Sequence, residues 1–84
     1  MYRVVTTRSF DKTLAKLPAN SQKRIVAKIK EVAVSPYAPN NNLTKLQGHD
    51  GFRLRVGDWR GIYELQDDRL VMLVVEVGPR GGIY

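Results

Sequence analysis

The sequence contains no cysteine. Disulfide staples and thiolate metal sites are excluded, and the composition fits a reducing compartment. It has one histidine, His49, which speaks against a histidine metal cluster or a Ser/His/Asp triad. No apolar run is long: the longest, Leu70–Val75, falls far short of a bilayer span. No charged segment followed by an apolar stretch and a small-residue cleavage site opens the chain, so the expectation is a cytoplasmic protein with no membrane partner. Acidic side chains are scarce, 8 against 14 Lys and Arg, for a net charge of +6. Repeats and low-complexity segments are absent as well.

What is there is ordinary globular material. The chain has 84 residues, 43% hydrophobic and 26% charged, enough for one core and too little for two, so a single domain over 1–84 is expected. A positive excess in so small a domain favours a polyanionic partner. The excess is uneven. Residues 1–30 hold eight basic side chains (Arg3, Arg8, Lys12, Lys16, Lys23, Arg24, Lys28, Lys30) against Asp11 alone, whereas residues 31–84 hold six basic and seven acidic ones. Two readings of the first block stand: a solvated helix surface, or a docking face for a polyanion.

Tyr2–Thr6 reads as a short strand, rich in β-branched and aromatic residues. Ser9 is the expected N-cap of a helix carrying Phe10, Leu14 and Leu17 at i, i+4, i+7, ended by Pro18. A second helix is expected from Asn20 or Ser21, with Ile25, Ile29, Val32 and Ala33 on its apolar face and Pro36 marking its end. The short link predicts a helical hairpin. Residues 35–51 read as loop, with Pro36, Pro39, three successive asparagines, Gly48 and Asp50-Gly51. Phe52–Val56 alternates strictly, with Arg53 and Arg55 on one face. Gly57-Asp58 turns the chain into a strand that puts Arg60, Ile62 and Glu64 on one side and Gly61, Tyr63 and Leu65 on the other. After a turn at Asp67-Asp68, Leu70–Val77 is apolar at every position but Glu76, as for a central strand covered on both sides. The order β-α-α-β-β-β predicts an α+β fold, an antiparallel sheet with the helical hairpin packed on one face.

The other face is left with Arg53, Arg55 and Arg60. Like charges at such range repel by about 1–4 kcal/mol per pair. Either Asp58, Glu64 and Glu76 neutralise them in surface ion pairs, or the face holds an anion; planar guanidiniums match phosphate oxygens two at a time. Arg80, after Gly78-Pro79, emerges at the end of the last strand. Tyr84 is either a hydrophobic hook for the terminus or a functional hydroxyl, and Trp59 either a core or lip residue or a base-stacking platform.

Three runs then carry a resemblance: Lys45-Leu46-Gln47-Gly48, Phe52-Arg53-Leu54-Arg55-Val56-Gly57-Asp58-Trp59-Arg60-Gly61-Ile62-Tyr63-Glu64, and Val77-Gly78-Pro79-Arg80-Gly81-Gly82-Ile83-Tyr84. The chain resembles the RelE toxins of bacterial type II toxin–antitoxin pairs, within the RelE/ParE superfamily. The resemblance implies an endoribonuclease, needing neither metal nor cofactor, that cuts messenger RNA in the ribosomal A site by attack of a ribose 2′-hydroxyl on the adjacent phosphate. It implies a catalytic set of Arg53, Arg55, Arg60, Arg80 and Tyr84. It also implies a cognate antitoxin, contact with messenger and ribosomal RNA on the ribosome, and operator DNA reached only through the antitoxin. Lys12, Lys16, Lys23, Arg24, Lys28 and Lys30 are the expected ribosome-binding side chains, segregated from the strand arginines.

Where many relatives have His, this sequence has Pro79. The general acid is thereby unassigned, with His49 and Glu76 as weak candidates. ParE-like gyrase poisons share the fold, and that reading stands as the alternative, beside a catalytically weak antitoxin-binding relative.

Overall fold

The computed structural model describes residues 1–38, 42–46 and 51–79. His49, Arg80 and Tyr84 lie outside the described residues.

Strand β1 (Arg3–Thr6) runs straight into helix α1 (Arg8–Ala15). The cap is Thr7, two residues before the expected Ser9: its Oγ1 accepts from Phe10 N at 3.1 Å and donates to the carbonyl of Val75. Pro18 ends α1 as expected, and α2 (Ala19–Val34) starts directly after it. Gln22 ties the link down by donating from Nε2 to Leu17 O at 2.8 Å. Beyond α2 the chain forms β2 (Leu43–Lys45), β3 (Gly51–Val56), β4 (Trp59–Gln66), a 3-10 turn at Asp67–Arg69 and β5 (Val71–Pro79).

The five strands form one sheet in the order β1-β5-β4-β3-β2. The expected meander β3-β4-β5 is there, antiparallel throughout. Two features differ from the sequence reading. Residues 43–45, expected as loop, form an edge strand antiparallel to β3, with Thr44 opposite Arg53. β1 lies parallel to β5, Val4 opposite Met72, so the sheet is mixed rather than wholly antiparallel.

Both helices lie on one face of the sheet, as the apolar stripes require. Phe10 of α1 and Ile25, Ile29, Val32 and Ala33 of α2 form one buried cluster with Leu54, Val56, Tyr63, Met72, Val74 and Val77. β5 carries a bulge. Pairing jumps from Ile62–Glu76 to Tyr63–Val74, leaving Val75 over. Side-chain parity switches at the extra residue, so Met72 and Val74 before it and Val77 after it all face the core. The Thr7 hydroxyl donates to the carbonyl of Val75, the extra residue of the bulge.

Candidate functional site

Cross-strand partners project from the same side of a sheet. The face turned away from the helices therefore carries Thr44 of β2, Arg53 and Arg55 of β3, Arg60 and Ile62 of β4, and Glu76 and Gly78 of β5. Arg55 stands directly opposite Arg60, and Arg53 opposite Ile62. The Gly57-Asp58 turn produces this: Gly57 takes φ +59° and folds β4 back so that Arg60 returns beside Arg55.

Arg53, Arg55 and Arg60 line one small cleft of about 120 Å³ with Asn42 and Thr44. Arg55 donates from Nη2 to Asn42 Oδ1 at 3.4 Å. Arg60 donates from Nη1 to the carbonyls of Trp59 at 3.2 Å and Gly57 at 3.4 Å. These three acceptors are neutral. They help to aim the guanidiniums; cations opposed across two strands repel each other, and a bound anion relieves that repulsion. Glu76, one of the expected neutralising carboxylates, accepts from Ser9 Oγ at 3.3 Å and is not among the cleft's lining residues. Five N–H donors on each planar guanidinium make the cleft chemically suited to a phosphodiester.

Asn42 and Thr44 were not singled out in the sequence. The signal was the edge strand itself: once 43–45 pairs with β3, Thr44 must sit beside Arg53. Trp59 is half-buried and packs against the core cluster, a lip position. Pro79 pairs with Trp59 at the end of β5. Asp58 is exposed in the turn. Among the described residues no group of three His, Cys, Asp or Glu comes together to hold a metal ion.

The basic helix residues do not form the separate set expected. Arg24 and Lys28, one helical turn apart on α2, line a groove of about 410 Å³ together with Asn42, Arg55 and Gly57. Lys23 and Lys30 flank a different concavity, over Val26 and Ala27. Lys12 and Lys16 are exposed on and just after α1. Lys28 pairs with Glu31 at 3.0 Å.

Comparison with known proteins bears on this geometry. A family model described as "ParE toxin of type II toxin-antitoxin system, parDE" matches residues 4–84. Among solved structures, the chain is similar to the archaeal RelE–RelB complex of Pyrococcus horikoshii (28% identity, 98% of both chains covered, TM-score 0.84). It is similar also to the intact RelBE complex of E. coli (28% identity, 94% of this chain and 96% of that one, TM-score 0.79). The RelB–RelE complex of Methanococcus jannaschii matches as well (28% identity, 95% and 94%, TM-score 0.75). The comparison with curated proteins found no match. A family match over nearly the whole chain and a shared fold at 28% identity agree with the sheet-and-hairpin geometry above: the chain belongs to the ParE toxin family of type II toxin–antitoxin systems, within the RelE/ParE superfamily.

Proposed function

We propose that this toxin is a ribosome-dependent endoribonuclease that cuts messenger RNA in the A site and is neutralised by a cognate antitoxin. One observation carries the reading: three guanidiniums from two strands, Arg53, Arg55 and Arg60, converge on a single open cleft. The partner follows from the similar structures, which are RelE chains bound to RelB.

The chemistry proposed is intramolecular. The ribose 2′-oxygen attacks the adjacent phosphorus, its proton passes to a base, and the bond to the 5′-oxygen breaks as that oxygen takes up a proton from water. The products are a 2′,3′-cyclic phosphate and a 5′-hydroxyl end. Negative charge grows on the non-bridging oxygens, and fixed cations in a pre-formed cleft stabilise it, each lost donor costing about 2.7–4 kcal/mol. Arg53 and Arg55 hold the strand, Arg60 and Arg80 clamp the scissile phosphate, and Tyr84 accepts the proton. Arginine keeps its proton at physiological pH, so none of the four serves as base.

Single-turnover cleavage of a ribosome-bound message tests the assignment. Arg60→Ala and Tyr84→Phe should each cut roughly 10²–10⁴-fold more slowly, with cyclic phosphate ends in the residual product and unchanged thermal melts. Wild-type rates in both variants overturn it. The family match favours a second reading, a ParE-like toxin that poisons DNA gyrase. That reading predicts gyrase-linked double-strand breaks from purified chain, gyrase and plasmid, with no cleavage of translated message.

A further inference from the structure

The arginine cleft does not end at Arg55. Asn42 and Arg55 line both that cleft and the larger groove beside it, which continues to Arg24 and Lys28 on α2. The two basic side chains are four residues apart, so they stand on one helix face. Arg24 is held at the sheet: a Cβ on Gly57 would lie 2.9 Å from Arg24 Nη2 and 3.3 Å from its Cζ. The guanidinium thus rests on the one residue of the β3–β4 turn that has no side chain. The result is a strip of cations running from the strands onto the helix, with neutral Asn42 at the junction. Its floor is broken at the far end by a carboxylate, Glu31, paired with Lys28.

We infer that the groove between α2 and the β3–β4 turn is a second phosphate site, which holds the single-stranded RNA backbone where it runs on from the cleaved phosphate. The inference rests on the reading of the cleft as an RNA site. It moves Arg24 and Lys28 from the ribosome-docking set to the substrate. A backbone with one charge per nucleotide fits a strip of successive cations better than any compact anion does, because each phosphate finds its own partner. Glu31 opposes it twice: it occupies Lys28, and it repels the incoming strand.

The sign of the Glu31 effect separates this from a structural role. The probe is a fluorescent ten-nucleotide RNA with 2′-O-methyl groups throughout, which binds but cannot be cut, titrated into the full chain at three salt concentrations. Arg24→Gln and Lys28→Gln should each weaken binding about fivefold at low salt and flatten the plot of log affinity against log salt by about 0.7. Glu31→Gln should tighten binding about as much, with thermal melts unchanged or lower. If all three bind as wild type while Arg55→Ala weakens binding, the groove is not a site and the cleft reading stands. If Arg55→Ala also binds as wild type, or the wild-type chain fails to bind at low salt, the cleft reading fails with it.

Discussion

Asp67 shows how much one exposed residue organises. Tyr37 and Tyr2 donate their hydroxyls to its two oxygens, at 2.6 and 2.7 Å. The β4–β5 turn is thereby tied to the N-terminus and to the segment after α2. Tyr37 also stands edge-on to Phe52, which stacks on the buried Tyr63. The two hydrogen bonds, Tyr37's foremost, hold the Asp67 carboxyl below its ordinary 3.8, and its own bond to Asp67 is the chief cause that pushes the Tyr2 hydroxyl up to about 12. A carboxyl depressed in the folded state contributes stability above its unfolded value, which is lost as pH falls through the folded one. Asp67→Asn should therefore lower the melting temperature by a constant amount above about pH 5, with the difference from wild type closing below about pH 4. Melting curves from pH 3 to 7 check this; a difference independent of pH contradicts it. Gly57 is a second residue on which much depends. At φ +59° with Arg24 against it, Gly57→Ala should cost about 1–2 kcal/mol in denaturant melts. Gly57→Asn should cost less, since asparagine visits the left-handed region more readily.

At the scale of elements, the β4–β5 connection carries visible strain. Leu70 caps the 3-10 turn at φ 51°, unusual for a branched side chain, and is exposed. Leu70→Gly removes the Cβ clash and should raise stability by roughly 1 kcal/mol, less the entropy of a freer unfolded chain. A melt lower than wild type would mean the Leu70 side chain has a packing role. The strands bearing the arginines were legible because Phe52–Val56 alternates without exception. β2 was not: three residues cannot display a period, and its place is fixed by pairing with β3. The Thr7 cap was missed because Ser9 has equal capping chemistry. Thr7 has a second partner, the Val75 carbonyl at the bulge in β5, which sits far off in the sequence. The bulge itself was not legible, since a shift of parity is invisible in a run of valines and leucines.

The whole molecule measures 33 × 24 × 23 Å, about three to four times the Debye length of about 8 Å at physiological salt. Charges on its separate faces therefore act separately in the cell. Lys12, Lys16, Lys23 and Lys30, which line neither the cleft nor the groove, are the side chains we propose for contact with ribosomal RNA. Replacing them with glutamine should lower the slope of log affinity for ribosomes against log salt by up to one unit per lost contact, with uncut RNA binding by the cleft unchanged. Co-sedimentation at several salt concentrations measures it, and an unaltered slope contradicts it. The mixed sheet also belongs to this scale. β1 pairs with β5 across almost the entire chain, and local patterning holds no record of a partner so far away. Arg24 illustrates the same limit: the sequence puts it on a helix, and only the Gly57 turn brings it to Arg55.

The central claim is that this toxin cuts messenger RNA in the ribosomal A site. Primer extension on a translated message tests it most directly, after brief induction of the chain in cells and again with initiation blocked. New 5′ ends are expected at in-frame codon positions, and they should vanish when initiation is blocked and when Arg60 is replaced by Ala. Intact message in a growth-arrested culture, or ends that persist without translation, contradicts it.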